Sequence, residues 1–293
     1  GGTVSASHLM VRGDFRRPGP IIQPGFPRIA NPWGTEPDVS GGSTTSGRRS
    51  ALARWITRAD HPLTTRVLVN RVWQHHFGVG LSQTPSDFGT IGDEPVHLEL
   101  LDWLASELIR TGWDLKAMHR LIVLSAAYRQ ASDLGASPKW IETASKIDPT
   151  NRLLWKFPRR RLSAEEVRDT ILVASGQLDR KVGGGGETVQ FMYDKGIPVS
   201  RKLGLVSAAG FFFDSSLYRQ PRRSIYLPII RNQMAEVLAV FDAADPSAVT
   251  AKRTETTVPA QAMFMMNNSF VRTQALFLAK DVMEAPKSER LDV

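Results

Sequence analysis

Leu63-Thr-Thr-Arg-Val-Leu-Val-Asn-Arg-Val-Trp-Gln-His-His-Phe77 decides the fold class. Leu68 and Val72, and Val69, Trp73 and Phe77, recur at steps of three and four, the spacing that lays a broad apolar face along a helix. Arg66, Asn70 and Gln74, with Arg71 and His75, follow the other side, and Gly78 and Gly80 stop the run. Similar patterns flank it. Ser50 to Thr57 carries Leu52, Trp55 and Ile56 on one face. Val96 to Thr111 places Leu98, Leu101, Leu104, Ala105 and Leu108 in a stripe closed by Gly112. Asp114 is placed to cap a further helix from Leu115 to about Tyr128, with Met118, Leu121, Ile122 and Ser125 inward.

Downstream, Ser163-Ala164-Glu165-Glu166 fits a capping box ahead of Val167, Ile171, Leu172 and Ala174, for a helix ending near Leu178. From Arg180 to Ser216 the periodicity dissolves into Gly183 to Gly186, a short alternating piece at Thr188 to Tyr193 and an apolar patch at Phe211 to Phe213. Ser224 to Ile230 reads as a strand, paired with Leu9 to Arg12. Helices are expected at Gln233 to Asp242 and Ser269 to Met283, with another at Pro259 to Met266. Upstream, residues 13–48 are rich in Pro, Gly, Ser and Thr, an extended lead-in that drapes over a surface or tethers a preceding domain. The expected architecture is mainly α: a lead-in over 1–48, then a single helical domain over 49–293 with a small β element and long irregular loops, its one candidate sub-division near 180–220.

Composition narrows the classes. Hydrophobic residues make up 42% and charged residues 23% of 293, and the mean hydropathy is -0.21, so disorder, collagen and coiled coil are excluded. The chain contains no Cys, which removes disulfides, thiolate metal sites and covalent haem attachment. No stretch reaches the roughly 20 apolar residues of a membrane helix. The start, Gly1-Gly2-Thr3-Val4, lacks a signal region, as an internal piece of a longer protein would.

The strings His61-Pro-Leu-Thr64, Thr84-Pro-Ser-Asp-Phe-Gly-Thr90, Leu100-Leu-Asp-Trp-Leu104 and Asp148-Pro-Thr-Asn-Arg152 occur in that order. Arg159-Arg-Arg-Leu162, Arg222-Arg-Ser-Ile-Tyr226 and Phe241-Asp-Ala-Ala-Asp-Pro246 follow them. Over residues 10–285 the chain resembles the planctomycete-type domain of unknown function found carboxyl-terminal to cytochrome c-like domains in large exported proteins. It departs from that family at His61, where Asn usually precedes Pro-Leu-Thr. The resemblance implies an exported, periplasmic or cell-surface location, haem only in a neighbouring domain and no cofactor in this chain. It also implies redox or polysaccharide work.

Three constellations could carry chemistry. Arg71, His75 and His76, followed by Asp87, Asp93, Glu94 and His97, bring imidazoles near carboxylates, the usual means of acid–base chemistry or metal binding. His75, His76, Asp87 and His97 are the candidate catalytic set. The adjacent His75 and His76 point about 100° apart on a helix and do not easily share one metal. Arginine is the second signal, with 27 Arg against 10 Lys and a net charge of +8. Arg71, Arg222, Arg223, Arg231 and Asn232 are candidate ligand-binding residues that would clamp an anionic polysaccharide, in a cleft shared with the histidine junction. Structural pairing with Glu165, Glu166, Asp169, Asp242 and Asp245 is the alternative, and no nucleic-acid motif is present. Third, Ser207 in Gly204-Leu-Val-Ser-Ala-Ala-Gly210 lacks the spacing of a strained nucleophile elbow. The sequence therefore favours polysaccharide recognition or processing, with a docking scaffold for a cytochrome c-like domain and a serine-type ester hydrolase as alternatives.

Overall fold

A computed structural model describes residues 7–39, 46–133, 135, 138–183, 220–227, 229 and 234–284. The fold is mainly α, with a two-stranded sheet and irregular loops. Its contacts fall into two compact units, Gly1–Arg160 and Arg161–Val293.

The first unit begins with β1 (Ser7–Met10) and β2 (Pro18–Ile22), an antiparallel hairpin in which Ser7 faces Ile22 and Met10 faces Pro18. The partner of the first strand is therefore the lead-in itself. Residues Ser224–Tyr226, expected to pair with it, form a 3-10 turn instead. Closing a short local loop is entropically cheaper than closing one of more than 200 residues, and Arg12 and Gly13 adopt the left-handed backbone that the reversal needs. Pro18 takes the first position of its strand, where a missing donor is tolerated. Farther along the lead-in, Phe26 stacks on Trp55 with ring centroids 4.6 Å apart, and the Arg58 guanidinium lies over Trp33.

Five helices complete this unit: α1 (Arg48–Ile56), α2 (Thr64–Phe77), α3 (Leu98–Arg110), α4 (Leu115–Val123) and α5 (Pro138–Ile147). The core comprises Val69, Val72, Trp73 and Phe77 of α2, Leu101, Leu104, Ala105 and Leu108 of α3, and Met118 and Ile122 of α4, with Leu81. The expected apolar faces of α2 and α3 are the buried ones, except that Leu98 in the first turn of α3 is exposed. In α1 the inward pair is Ala51 and Trp55, while Leu52 and Ile56 are exposed. Asn70 is not on the outer face of α2. It is fully buried, its Oδ1 accepting from Ser82 N at 2.9 Å and its Nδ2 donating to Ser82 O at 3.1 Å, a pair of hydrogen bonds to the backbone that satisfies a buried amide. A side chain at Gly80 would collide with both partners, at 2.5 Å from Ser82 O and 2.7 Å from the Asn70 amide.

Asp114 caps α4 by accepting from Lys116 N and Ala117 N. That helix ends at Val123, short of Tyr128. Ser125 Oγ turns back to donate to Ile122 O and accepts from Tyr128 N, offering the backbone a turn in place of the helical ladder.

The second unit contains α6 (Ala164–Ala174), α7 (Glu236–Val240), α8 (Pro259–Asn267) and α9 (Ser269–Glu284). Its core gathers Ala164, Leu227, Val237, Leu238 and Phe264. The capping box at Ser163 is present, with Glu166 N bonded to Ser163 Oγ and Ser163 N donating to Glu166 Oε2. α6 stops at Ala174, four residues before the expected end, because Gly176 takes a left-handed φ of 68° and lets Gln177 N reach Leu172 O. The expected features at Gly184 to Gly186, Thr188 to Tyr193, Ser207 and Phe211 to Phe213 lie outside the described residues.

Candidate functional site

Two places in the first unit bring polar chemistry together. The first is the C-terminal turn of α2. His76 Nε2 lies 2.8 Å from Nδ1 of His119 on α4, and the Tyr128 ring meets the His76 ring edge-on, with centroids 5.5 Å apart. An imidazole pair at this distance shares one proton, one ring donating and the other accepting. Burial, followed by His119, His75 and Arg160, holds His76 below the ordinary histidine pKa. His119 was not among the sequence candidates. Its only signal is its position next to the core residue Met118, and nothing in the linear sequence pairs two residues 43 positions apart.

The other histidine-junction candidates are placed separately. Arg71 and His75 are exposed on α2. Asp87 organises its own loop: its Oδ1 accepts from Gly89 N at 3.0 Å, and its main-chain oxygen accepts from Thr84 Oγ1 at 3.0 Å. His97 lies at the start of α3, where its carbonyl accepts from Leu101 N. Among the described residues no hydrogen bond joins His75, His76, Asp87 and His97 to one another, and no group of three or more His, Asp or Glu could hold a metal.

His61 has a different part. Its Nδ1 accepts from Leu63 N at 3.3 Å and Thr64 N at 3.2 Å, so it caps α2 in place of the Asn of the resembled pattern. Its ring is buried edge-on against Trp55, and burial lowers its pKa. A proton on Nδ1 would abolish the cap. The unfolded chain binds that proton near the ordinary pKa of 6.5, whereas the folded chain resists it. The stabilising contribution is therefore complete above about pH 6.5 and declines as the pH falls through that value towards the lower folded pKa. Urea unfolding midpoints should drop between pH 7.5 and 5.5, and His61→Asn should reduce that drop while keeping the cap. An unchanged drop in the variant would contradict this role.

The second place is an open cleft of 330 Å³ lined by Ser132, Asp133, Ile141, Trp155, Lys156, Phe157 and Arg159. The string Asp148-Pro-Thr-Asn-Arg152 builds its wall. Buried Asp148 accepts from Arg152 N at 2.9 Å and Leu153 N at 2.7 Å through its carboxylate, and from Trp155 Nε1 at 2.9 Å through its carbonyl. Asn151 bonds both the N–H and the C=O of Lys156. The Trp155 indole is thereby fixed, with half-exposed Trp140 of α5 edge-on at 5.8 Å. Lys156 Nζ lies 4.6 Å above the Trp155 ring, and Arg159 is 3.7 Å from Asp133. Aromatic surface beside adjustable cations and a carboxylate is suited to a polar ligand with one apolar face. Asp148-Pro-Thr-Asn-Arg152 and Arg159 stand among the ordered strings of the sequence, but nothing in the linear pattern joins them to Trp155 and α5 as one site; Pro138 at the first position of α5 and the Asp148 turn are the local signals.

In the second unit Arg222 is buried. It reaches Asp179 Oδ2 at 3.6 Å and the Gly183 carbonyl, and lies over the Tyr226 ring. Arg223 is exposed at the start of the 3-10 turn, and Arg231 and Asn232 lie outside the described residues. Arg161 pairs with Asp242 at 3.4 Å, and Arg253 grips Glu165 through two bonds of 2.6 and 2.9 Å.

No curated protein and no solved structure matches the chain. The family model described as PSD1, protein of unknown function (DUF1553), matches residues 48–292, a span that takes in all nine α-helices of the described residues. The chain belongs to that family.

Proposed function

We propose that this chain is a carbohydrate-recognition module of an exported, cytochrome-associated multidomain protein, and that it takes its ligand at the Trp155 cleft. The observation that carries this reading is the fixed aromatic wall with Ser132, Asp133, Lys156 and Arg159 around a 330 Å³ opening. Sugars present an apolar C–H face and a rim of hydroxyls, and this lining offers a counterpart to each. The exported location, the haem-bearing neighbour and polysaccharide as partner come from the resemblance of the ordered strings.

The test is a thermal-shift screen of the chain against neutral, uronic and sulfated oligosaccharides. A ligand at a hundred times its Kd stabilises by about 2.7 kcal/mol. A glycan-dependent rise that Trp155→Ala abolishes is expected. A flat response would refute the reading. Salt-sensitive binding to a c-type cytochrome would then support the docking alternative, which the net charge of +8 favours.

A further inference from the structure

We infer that the cleft selects a carboxylated sugar, a uronate, by exchanging Asp133 for the ligand's carboxylate on Arg159; this rests on the glycan reading above. Asp133 and Arg159 are 3.7 Å apart, and their side chains are 88% and 75% exposed. So solvated a pair holds weakly, and its partners separate at little cost. The Asp133 carboxylate thus occupies the place on Arg159 that an acidic ligand would take, and it shows that a carboxylate can reach the guanidinium from within the cleft. A planar guanidinium matches a planar carboxylate through two parallel bonds, and the group that Arg159 already faces in the cleft is a carboxylate.

The second cation behaves in the same way. Lys156 Nζ rests over the Trp155 ring at 4.6 Å, while its backbone is tied to Asn151. A single cation–π contact at a partly solvated site is weak and easily exchanged. A sugar ring arriving on the indole would displace the ammonium towards the ligand's acidic group. Each cation therefore holds a replaceable partner that resembles part of the ligand, a carboxylate in one case and a flat apolar face in the other. With Asp133, Lys156 and Arg159 together, the cleft carries one net positive charge, which an acidic residue neutralises. The volume lies at the low end of the roughly 300–1,000 Å³ of small-molecule sites, room for about one or two sugar rings.

Isothermal titration with trigalacturonate, neutral galactotriose and sulfated galactotriose separates this inference from the reading beneath it. Trigalacturonate should bind tightest. Arg159→Gln should weaken it about tenfold or more, the scale of a lost hydrogen bond to a charged group, and leave galactotriose within about twofold. Asp133→Asn should tighten trigalacturonate several-fold, because the internal competitor is gone. Equal affinity for the acidic and neutral sugars, a preference for the sulfated one, or weaker uronate binding in Asp133→Asn would overturn the uronate inference and leave glycan recognition standing. Failure of all three sugars to bind would overturn both.

Discussion

Arg168→Ala should be the most damaging substitution in the second unit, at about 3–5 kcal/mol. The side chain is 0% exposed on α6. Its guanidinium donates to Arg222 O at 2.8 Å, Ser224 Oγ at 3.1 Å and Gln220 O at 2.5 Å, and contacts Asp169 at 3.4 Å. The Phe270 ring lies 5.7 Å away on α9. Truncation would leave buried acceptors without donors and a void where the stem had been, and would release residues 220–224 from α6. Asp169 binds the same segment by accepting from Ser224 N and Oγ, so part of the docking survives and the loss stays within that range. Against a typical total of about 5–15 kcal/mol, this shifts a urea midpoint well outside error. Arg253→Ala is the control, since it removes a 40%-exposed partner of Glu165 and should change stability by less than about 1 kcal/mol. Equal effects of the two variants would contradict the structural role assigned to Arg168.

Leu108→Ala should cost the first unit about 2–5 kcal/mol. Leu108 is 0% exposed in α3, inside the cluster that includes Trp73, Phe77, Met118 and Ile122. Three helices meet in that cluster, so a deleted isobutyl group leaves a cavity that cannot collapse without moving rings. Trp73 and Phe77 are already stacked at 4.2 Å, and Phe77 meets Tyr128 at 5.8 Å. Leu124→Ala is the comparison: that side chain is 59% exposed, and its loss should stay within about 0.5 kcal/mol. A Leu108→Ala cost as small as that of Leu124→Ala would show the core to be placed wrongly.

Much of the first unit was legible because period and burial coincide in α2 and α3. Leu101, Leu104, Ala105 and Leu108 fall on the face that the sequence predicts, and Asp114 caps α4; in the second unit Ser163 likewise caps α6. Asn70 was not legible, since a polar residue at a buried position carries no periodic signal; only its bonds to Ser82 explain it. The pairing of β1 with Pro18–Ile22 was hidden by prolines that normally argue against strands. Basic strings proved ambiguous for a physical reason. Arg222 and Arg223 are adjacent in sequence, yet one is buried under Asp179, Gly183 and Tyr226 while the other is exposed. The Trp155 cleft was missed because its wall comes from a turn. The Asp148 bonds that make it are tertiary facts behind a string already recognisable as distinctive.

A glycan held against Trp155 would be seen residue by residue in the indole N–H signals of the seven tryptophans. The Trp155 indole donates to Asp148 O, which gives it a defined environment, whereas Trp73 is sealed in the core. Titrating trigalacturonate into the chain and following the indole N–H resonances by NMR, assigned through single Trp→Phe variants, should move the Trp155 signal in a saturable way. Trp73 should stay still. Saturable movement elsewhere with Trp155 unmoved, or no movement at any indole, would contradict the claim.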